Sequence, residues 1–122
     1  MLKTLALLSL LNLQPAPDSV TGSWQIKGDV VGNPVEEICT ITETDAVITG
    51  NCSDALGAVY PVTGGVKEGK ITFQHGGEYD GQTLTIIFSG TLSSPTAMKG
   101  TIQVQPFDAW GEFTATAVKN DA

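Results

Sequence analysis

The sequence predicts an all-β fold, an eight-stranded antiparallel up-and-down β-barrel built as a meander. Three observations predict it. Fourteen glycines and frequent Thr and Val, with little Leu after residue 13, favour strands and tight turns over helices. Beyond residue 18, short runs of alternating apolar and polar residues are punctuated by Gly, Asn, Asp and Pro at meander spacing. Hairpins centred on separate turns also send their apolar residues to one common face, which a one-residue slip would reverse. With no helix to cover a sheet face, eight strands in sequence order bury both edges only by closing on themselves.

A chain of 122 residues, 41% hydrophobic and 16% charged, supports one core and not two. Its first segment, residues 1–19, places Lys3 before a leucine-rich run that ends at Gln14-Pro15-Ala16-Pro17. This is the layout of a secretory signal peptide, and the apolar run is too short for a transmembrane span. The pattern lacks an Ala-x-Ala cleavage triplet, so an amphipathic helix lying across a barrel mouth is the rival reading. Residues 20–122 are then one barrel domain, in a protein expected to be periplasmic or secreted.

The first strand is expected at roughly 21–30, and the second and third at roughly 35–44 and 47–53. A turn centred on Asp45-Ala46 joins the latter two, setting Cys39 opposite Cys52, Ile41 opposite Gly50 and Glu43 opposite Ile48. A two-residue loop makes the cysteines a non-hydrogen-bonded pair, the closer kind, and a four-residue loop with the same centre keeps them facing. A disulfide follows, since a lone cysteine pair in an oxidising compartment usually becomes a bridge. No metal or cofactor is expected, because zinc wants four ligands and the one histidine, His75, lies far from the cysteines in sequence.

The fourth and fifth strands fall at roughly 58–67 and 70–76, the sixth at roughly 82–92. Centring a turn on Glu68-Gly69 pairs Val66 with Ile71, Gly64 with Phe73 and Val62 with His75. Asp80-Gly81, a strong hairpin dipeptide, sets Phe73 opposite Phe88, Ile71 opposite Gly90 and His75 opposite Ile86. The inner face then holds Ile41, Ile48, Val62, Phe73, Ile86 and Phe88, with Gly50, Gly64 and Gly90 among them. Inward glycines let strands bend, and they also leave space, so any ligand cavity is expected beside them. The last two strands, roughly 97–105 and 111–119, are joined by an Asp108-Ala109 turn flanked by Phe107 and Trp110.

The formal charge is −7, with no arginine and with lysines scattered singly, so nucleic acid is not an expected partner. No serine sits in a Gly-x-Ser-x-Gly elbow, and the paired glycines precede no helix, which removes serine-hydrolase and phosphate-loop chemistry. No catalytic constellation is assigned. The candidate ligand contacts are Tyr60, Phe73, His75, Tyr79, Phe88, Phe107 and Trp110, because aromatic faces give large contact area at low entropy cost.

Val20-Thr21-Gly22-Ser23-Trp24 resembles the Gly-x-Trp opening of the calycin barrels, the grouping of lipocalins, avidins and fatty-acid-binding proteins. Glu112-Phe113-Thr114-Ala115-Thr116 is similar to a strand of avidin-type barrels. The resemblance implies a calycin-like barrel around one small ligand, with Trp24 packed at the closed end. The missing arginine and the two tryptophans depart from the fatty-acid and biotin pockets of those families. Gly22-Ser23-Trp24 followed by Cys39 and Cys52 also resembles the small exported lipocalin-like inhibitors of bacterial metalloproteases, which act through their extreme N-terminus. The overall pattern is similar, too, to small exported bacterial barrels, a likeness that implies a fold and no activity.

The leading expectation is non-enzymatic binding of a small apolar molecule inside the barrel, outside the cytoplasm. An exported protease inhibitor or other protein-interaction module, acting on a protein partner, is the alternative. A barrel isomerase or cyclase, with His75 and either Glu78 or Tyr79 moving a proton, is the third.

Overall fold

The structure, a computed structural model, describes residues 19–118. Eight strands follow one another: β1 Gly22–Val30, β2 Asn33–Thr44, β3 Val47–Asp54, β4 Val59–Lys67, β5 Lys70–Tyr79, β6 Gln82–Ser94, β7 Ala97–Gln105 and β8 Ala109–Ala117. Each pairs antiparallel with the next, and β1 pairs with β8 from Trp24–Ala117 to Val30–Gly111, closing the barrel. The N-terminal segment expected over residues 1–19 lies, except for Ser19, outside the described residues.

The turn chemistry explains the register. Asp45-Ala46, Glu68-Gly69 and Asp80-Gly81 all have positive φ at both residues, the two-residue turn whose twist matches that of the flanking strands. Cys39 accordingly faces Cys52, Gly64 faces Phe73, and Phe73 faces Phe88. Val31-Gly32 makes a fourth such turn, with Gly32 N–H donating to Asp29 Oδ1 at 2.8 Å. The expected Asp108-Ala109 turn is displaced. Pro106, Phe107 and Asp108 form the connection, and Ala109 and Trp110 already belong to β8, paired with Val104 and Gln103.

The inner face is filled by Ile26, Ile41, Ile48, Val62, Phe73, Phe88, Met98, Ile102 and Phe113, all buried. Trp24 closes one end, its indole N–H donating to the Val20 carbonyl at 2.9 Å while Val20 N–H donates to Glu43 Oε1. The connections β1–β2, β3–β4, β5–β6 and β7–β8 gather at the opposite end, called here the His75 end.

Two expectations about the interior fail. Ile86 is only half-buried, because it forms a wall of a cleft at the His75 end. The cleft also does not lie beside Gly50, Gly64 and Gly90, where any cavity was expected, and of the three only Gly64 borders a groove, on the outer face. A Cβ at any of the three would collide with the backbone of a neighbouring strand, at the carbonyls of Thr40, Thr72 and Lys99 respectively. These glycines let backbones approach closely, and the approach uses the space that the missing side chains release.

Candidate functional site

Alternation along β5 sends Ile71, Phe73 and His75 to the same side, and alternation along β2 does the same for Glu37, Cys39 and Ile41. Barrel closure brings His75 and Glu37 together. Nε2 of His75 lies 2.8 Å from Oε1 of Glu37, and both residues are buried. The other ring nitrogen, Nδ1, faces the carbonyl of Gly76. Both nitrogens thus meet acceptors, which suits the doubly protonated ring. Burial opposes that charge, but the hydrogen bond to Glu37 and its charge, with the Gly76 carbonyl and Asp54 adding to them, hold the His75 pKa above its ordinary value of 6.5.

Aromatic rings pack on the imidazole. Tyr60 stacks on it with ring centroids 5.1 Å apart and planes 17° from parallel, and Phe88 lies tilted at 5.8 Å. The ladder between β4 and β5 ends at Thr63 and Gln74, so Val62 and His75, expected to pair, lie beyond it. Pro61, which has no N–H to give a ladder, sits just past that point. The Tyr60 hydroxyl points to Asp54 Oδ2 at 3.5 Å, and Asp54 Oδ1 accepts from the N–H groups of Leu56 and Ala58, shaping the β3–β4 connection. Partial burial first, then the charge of Asp54 and its hydrogen bond, push the Tyr60 phenol above its ordinary pKa, with Glu37 and Glu78 adding to the effect.

Above this pair opens a cleft of about 390 Å³, lined by Val35, Glu37, Tyr60, His75, Leu84 and Ile86, with Glu36, Asp54 and Glu78 also on its walls and no lysine. Beneath it, Cys39 and Cys52 form the expected disulfide, their Cα atoms 3.9 Å apart. Two larger grooves, of about 540 and 670 Å³, lie on the outer face of the sheet among exposed side chains such as Lys27, Thr114, Lys67 and Lys70. They contain no buried polar side chain, so the His75 cleft is where the barrel has chemistry to offer.

The seven expected contact residues separate into three places. Tyr60 and His75 meet in the cleft. Phe73 and Phe88 stack on each other at 5.0 Å, with Phe113 edge-on to Phe88 at 5.3 Å, all within the core. Tyr79, Phe107 and Trp110 are more than half exposed on the rim, where Tyr79 meets Phe107 edge to face at 6.4 Å. The proton partner named for His75, Glu78 or Tyr79, is not the group it bonds. That group is Glu37, which sequence reasoning missed although its spacing of two from Cys39 placed it inside.

No protein-family model matches the chain, and no curated protein does. Solved structures do. A redesigned β-barrel superimposes with a TM-score of 0.62 at 11% identity, covering 82% of this chain and 92% of that one. The redesigned barrel mFAP1, bound to DFHBI, gives 0.56 at 12% identity over 80% and 94%. EF1p2_mFAP2b, also bound to DFHBI, gives 0.57 at 13% over 82% and 94%. At these identities the likeness is one of fold: this chain is a closed eight-stranded antiparallel barrel.

Proposed function

We propose that the protein binds one small, flat, largely apolar molecule in the cleft at its His75 end, as a carrier and not as an enzyme, outside the cytoplasm. One observation carries the reading. The middle of the barrel is packed and the Trp24 end has only a small cleft of about 220 Å³ beside Val66, Ile71 and Leu92 with no buried polar side chain, whereas the His75 end opens into a cleft of about 390 Å³ with Tyr60, Leu84 and Ile86 on its walls and a buried ion pair on its floor. Glu36, Glu37, Asp54 and Glu78 favour a neutral or positively charged polar group on the ligand and disfavour a carboxylate. The disulfide supports an oxidising compartment.

A neutral fluorescent amine, N-phenyl-1-naphthylamine, tests the site. Saturable binding at one molecule per chain is expected, weakened about tenfold, or ~1.4 kcal/mol, by Tyr60→Ala and unchanged by Lys70→Ala at the opposite end of the barrel. Equal binding by the wild type and Tyr60→Ala would sink the reading.

A second reading, a surface for a protein partner, is favoured by the rim. Every hairpin at the His75 end exposes a large apolar side chain: Val31, Leu56, Tyr79, and Phe107 with Trp110. Among the hairpin turns at the Trp24 end only Val47, beside Asp45-Ala46, is exposed in this way, and Glu68-Gly69 carries none. Val31 is β-branched yet held at φ 50°, a costly choice for an exposed turn unless its side chain is used. Loss of a co-purifying protein in the double variant Phe107→Ser/Trp110→Ser, with dye binding retained, would carry this reading over the first. For inhibition through the N-terminus, the segment concerned lies outside the described residues.

A further inference from the structure

His75 and the two cysteines, remote in sequence, are neighbours in the barrel. A ligand atom of Cys52, of His75 and of Glu37 all lie within 4.8 Å of one another, and each residue is buried. The Cys39 sulfur is bonded to that of Cys52 and lies 3.9 Å from Glu37 Oε1. While the bridge is intact the sulfurs donate no thiolate, and the contact from Cys39 to Glu37 is one of van der Waals type. Reduction changes the donor set to two thiolates, one imidazole and one carboxylate.

We propose that reduction of the Cys39–Cys52 disulfide opens a four-ligand site for a divalent metal of the zinc class, formed by Cys39, Cys52, His75 and Glu37. Two thiolates with an imidazole and a carboxylate are a borderline-soft set that suits tetrahedral zinc. Metal–sulfur bonds of about 2.3 Å and metal–nitrogen or –oxygen bonds of about 2.0 Å put neighbouring donors roughly 3.3 to 3.8 Å apart. The proposed site requires the two sulfurs to part and the His75–Glu37 pair, now 2.8 Å apart, to open to these separations, a change of up to about 1 Å for the latter.

Two further features of the structure serve such a site. The Gly76 carbonyl receives Nδ1–H of His75, which leaves Nε2 as the metal-binding nitrogen and fixes the plane of the ring. Glu37 and His75 both line the open cleft, whose walls carry Glu36, Asp54 and Glu78 and no lysine, so a cation has a path and a favourable field.

The chemistry balances with a small dithiol as the reductant. The dithiol gives two electrons and two protons to the protein disulfide and leaves as its own cyclic disulfide, and the protein then carries two thiols. A divalent ion entering the site displaces both thiol protons and any proton on Nε2. Reoxidation of the thiolates to the disulfide by an oxidised dithiol removes two of the four ligands and releases the ion. The disulfide and the metal are thus mutually exclusive occupants of one place. This inference stands apart from the carrier reading, because it rests on the donor geometry and not on a ligand in the cleft.

The test uses the full chain, reduced anaerobically with dithiothreitol, freed of the reagent and titrated with cobalt(II) and then zinc. One cobalt per chain is expected, with sulfur-to-metal charge-transfer absorption in the near ultraviolet and the intense visible bands of a tetrahedral ion, both bleached by zinc. The disulfide form should show neither signal. In the reduced protein, His75→Ala and Glu37→Gln should each weaken binding at least about tenfold, followed alongside circular dichroism to establish that the variants are folded. Should either variant fail to fold, histidine ligation is read in the wild type from the shift of the His75 ring resonances on adding zinc. A reduced, folded protein without cobalt absorption overturns the proposal, as does equal binding by the oxidised form, binding unaffected in both folded variants, or unmoved His75 resonances. If reduction unfolds the chain, zinc must restore the fold, and failure to do so overturns it too.

Discussion

His75 on β5 and Glu37 on β2, 38 residues apart in the chain, meet inside the barrel with Nε2 and Oε1 at 2.8 Å and almost no exposure of either side chain. A charge pair so little exposed is poorly solvated, so its partners depend on each other. In disulfide-bonded protein, Glu37→Leu should cost about 3 to 5 kcal/mol in urea denaturation, since it strands the imidazolium. The double variant Glu37→Leu/His75→Phe should recover most of that loss, because apolar groups of similar volume need no partner. Additive costs for the two substitutions would show that the pair is not coupled.

The same pair sets a pH dependence. The His75 pKa is higher in the folded chain than the ordinary 6.5, so between those two values the folded state holds the extra proton. The stabilisation is therefore complete below pH 6.5 and is lost as pH rises through the folded value. Chemical denaturation of the disulfide form in the presence of a chelator, from about pH 6 to about pH 9, should show the unfolding free energy falling. His75→Phe should flatten that slope, and a slope that survives the substitution would assign it elsewhere.

Gly64 and Gly76 offer a matched contrast, as neither has a positive φ. A Cβ on Gly64 would lie 2.6 Å from the Phe73 Cα and closer still to the Thr72 carbonyl, whereas one on Gly76 meets nothing nearer than the Leu84 carbonyl at 3.7 Å. Gly64→Ala should cost about 1 to 3 kcal/mol, because two strands must part. Gly76→Ala should stay within about 0.5 kcal/mol of wild type. Equal melting temperatures for both variants would contradict the close approach of β4 and β5.

Val31 opens the β1–β2 turn at φ 50° with 75% of its surface exposed. Val31→Asn removes the β-branched clash and creates the favoured Asn-Gly turn dipeptide, which should raise stability by about 1 kcal/mol. A loss of stability, read by thermal melting, would indicate packing on Val31 that its exposure does not allow.

The candidate site was partly legible. Inward placement of His75 and the pairing of Cys39 with Cys52 followed from local turn centres, and the alternation that puts Ile41 inside does the same for Cys39 and Glu37. The division of the aromatic residues was not legible. Phe73, Tyr79 and Phe107 have the same contact chemistry, and only their depth in the barrel sends the first to the core and the others to the rim.

The sequence by itself determined the strands, their order, the register of the three hairpins and hence the disulfide, because turn dipeptides and a period of two act over a few residues. Tertiary structure alone decided which inward residues meet across the barrel, since that depends on strand tilt and stagger at closure. It joined His75 to Glu37 and the cysteines. It also turned the inward glycines from expected open space into points of backbone contact, for a glycine lacks a Cβ whether the neighbouring strand is near or far, and only the closed sheet sets that distance.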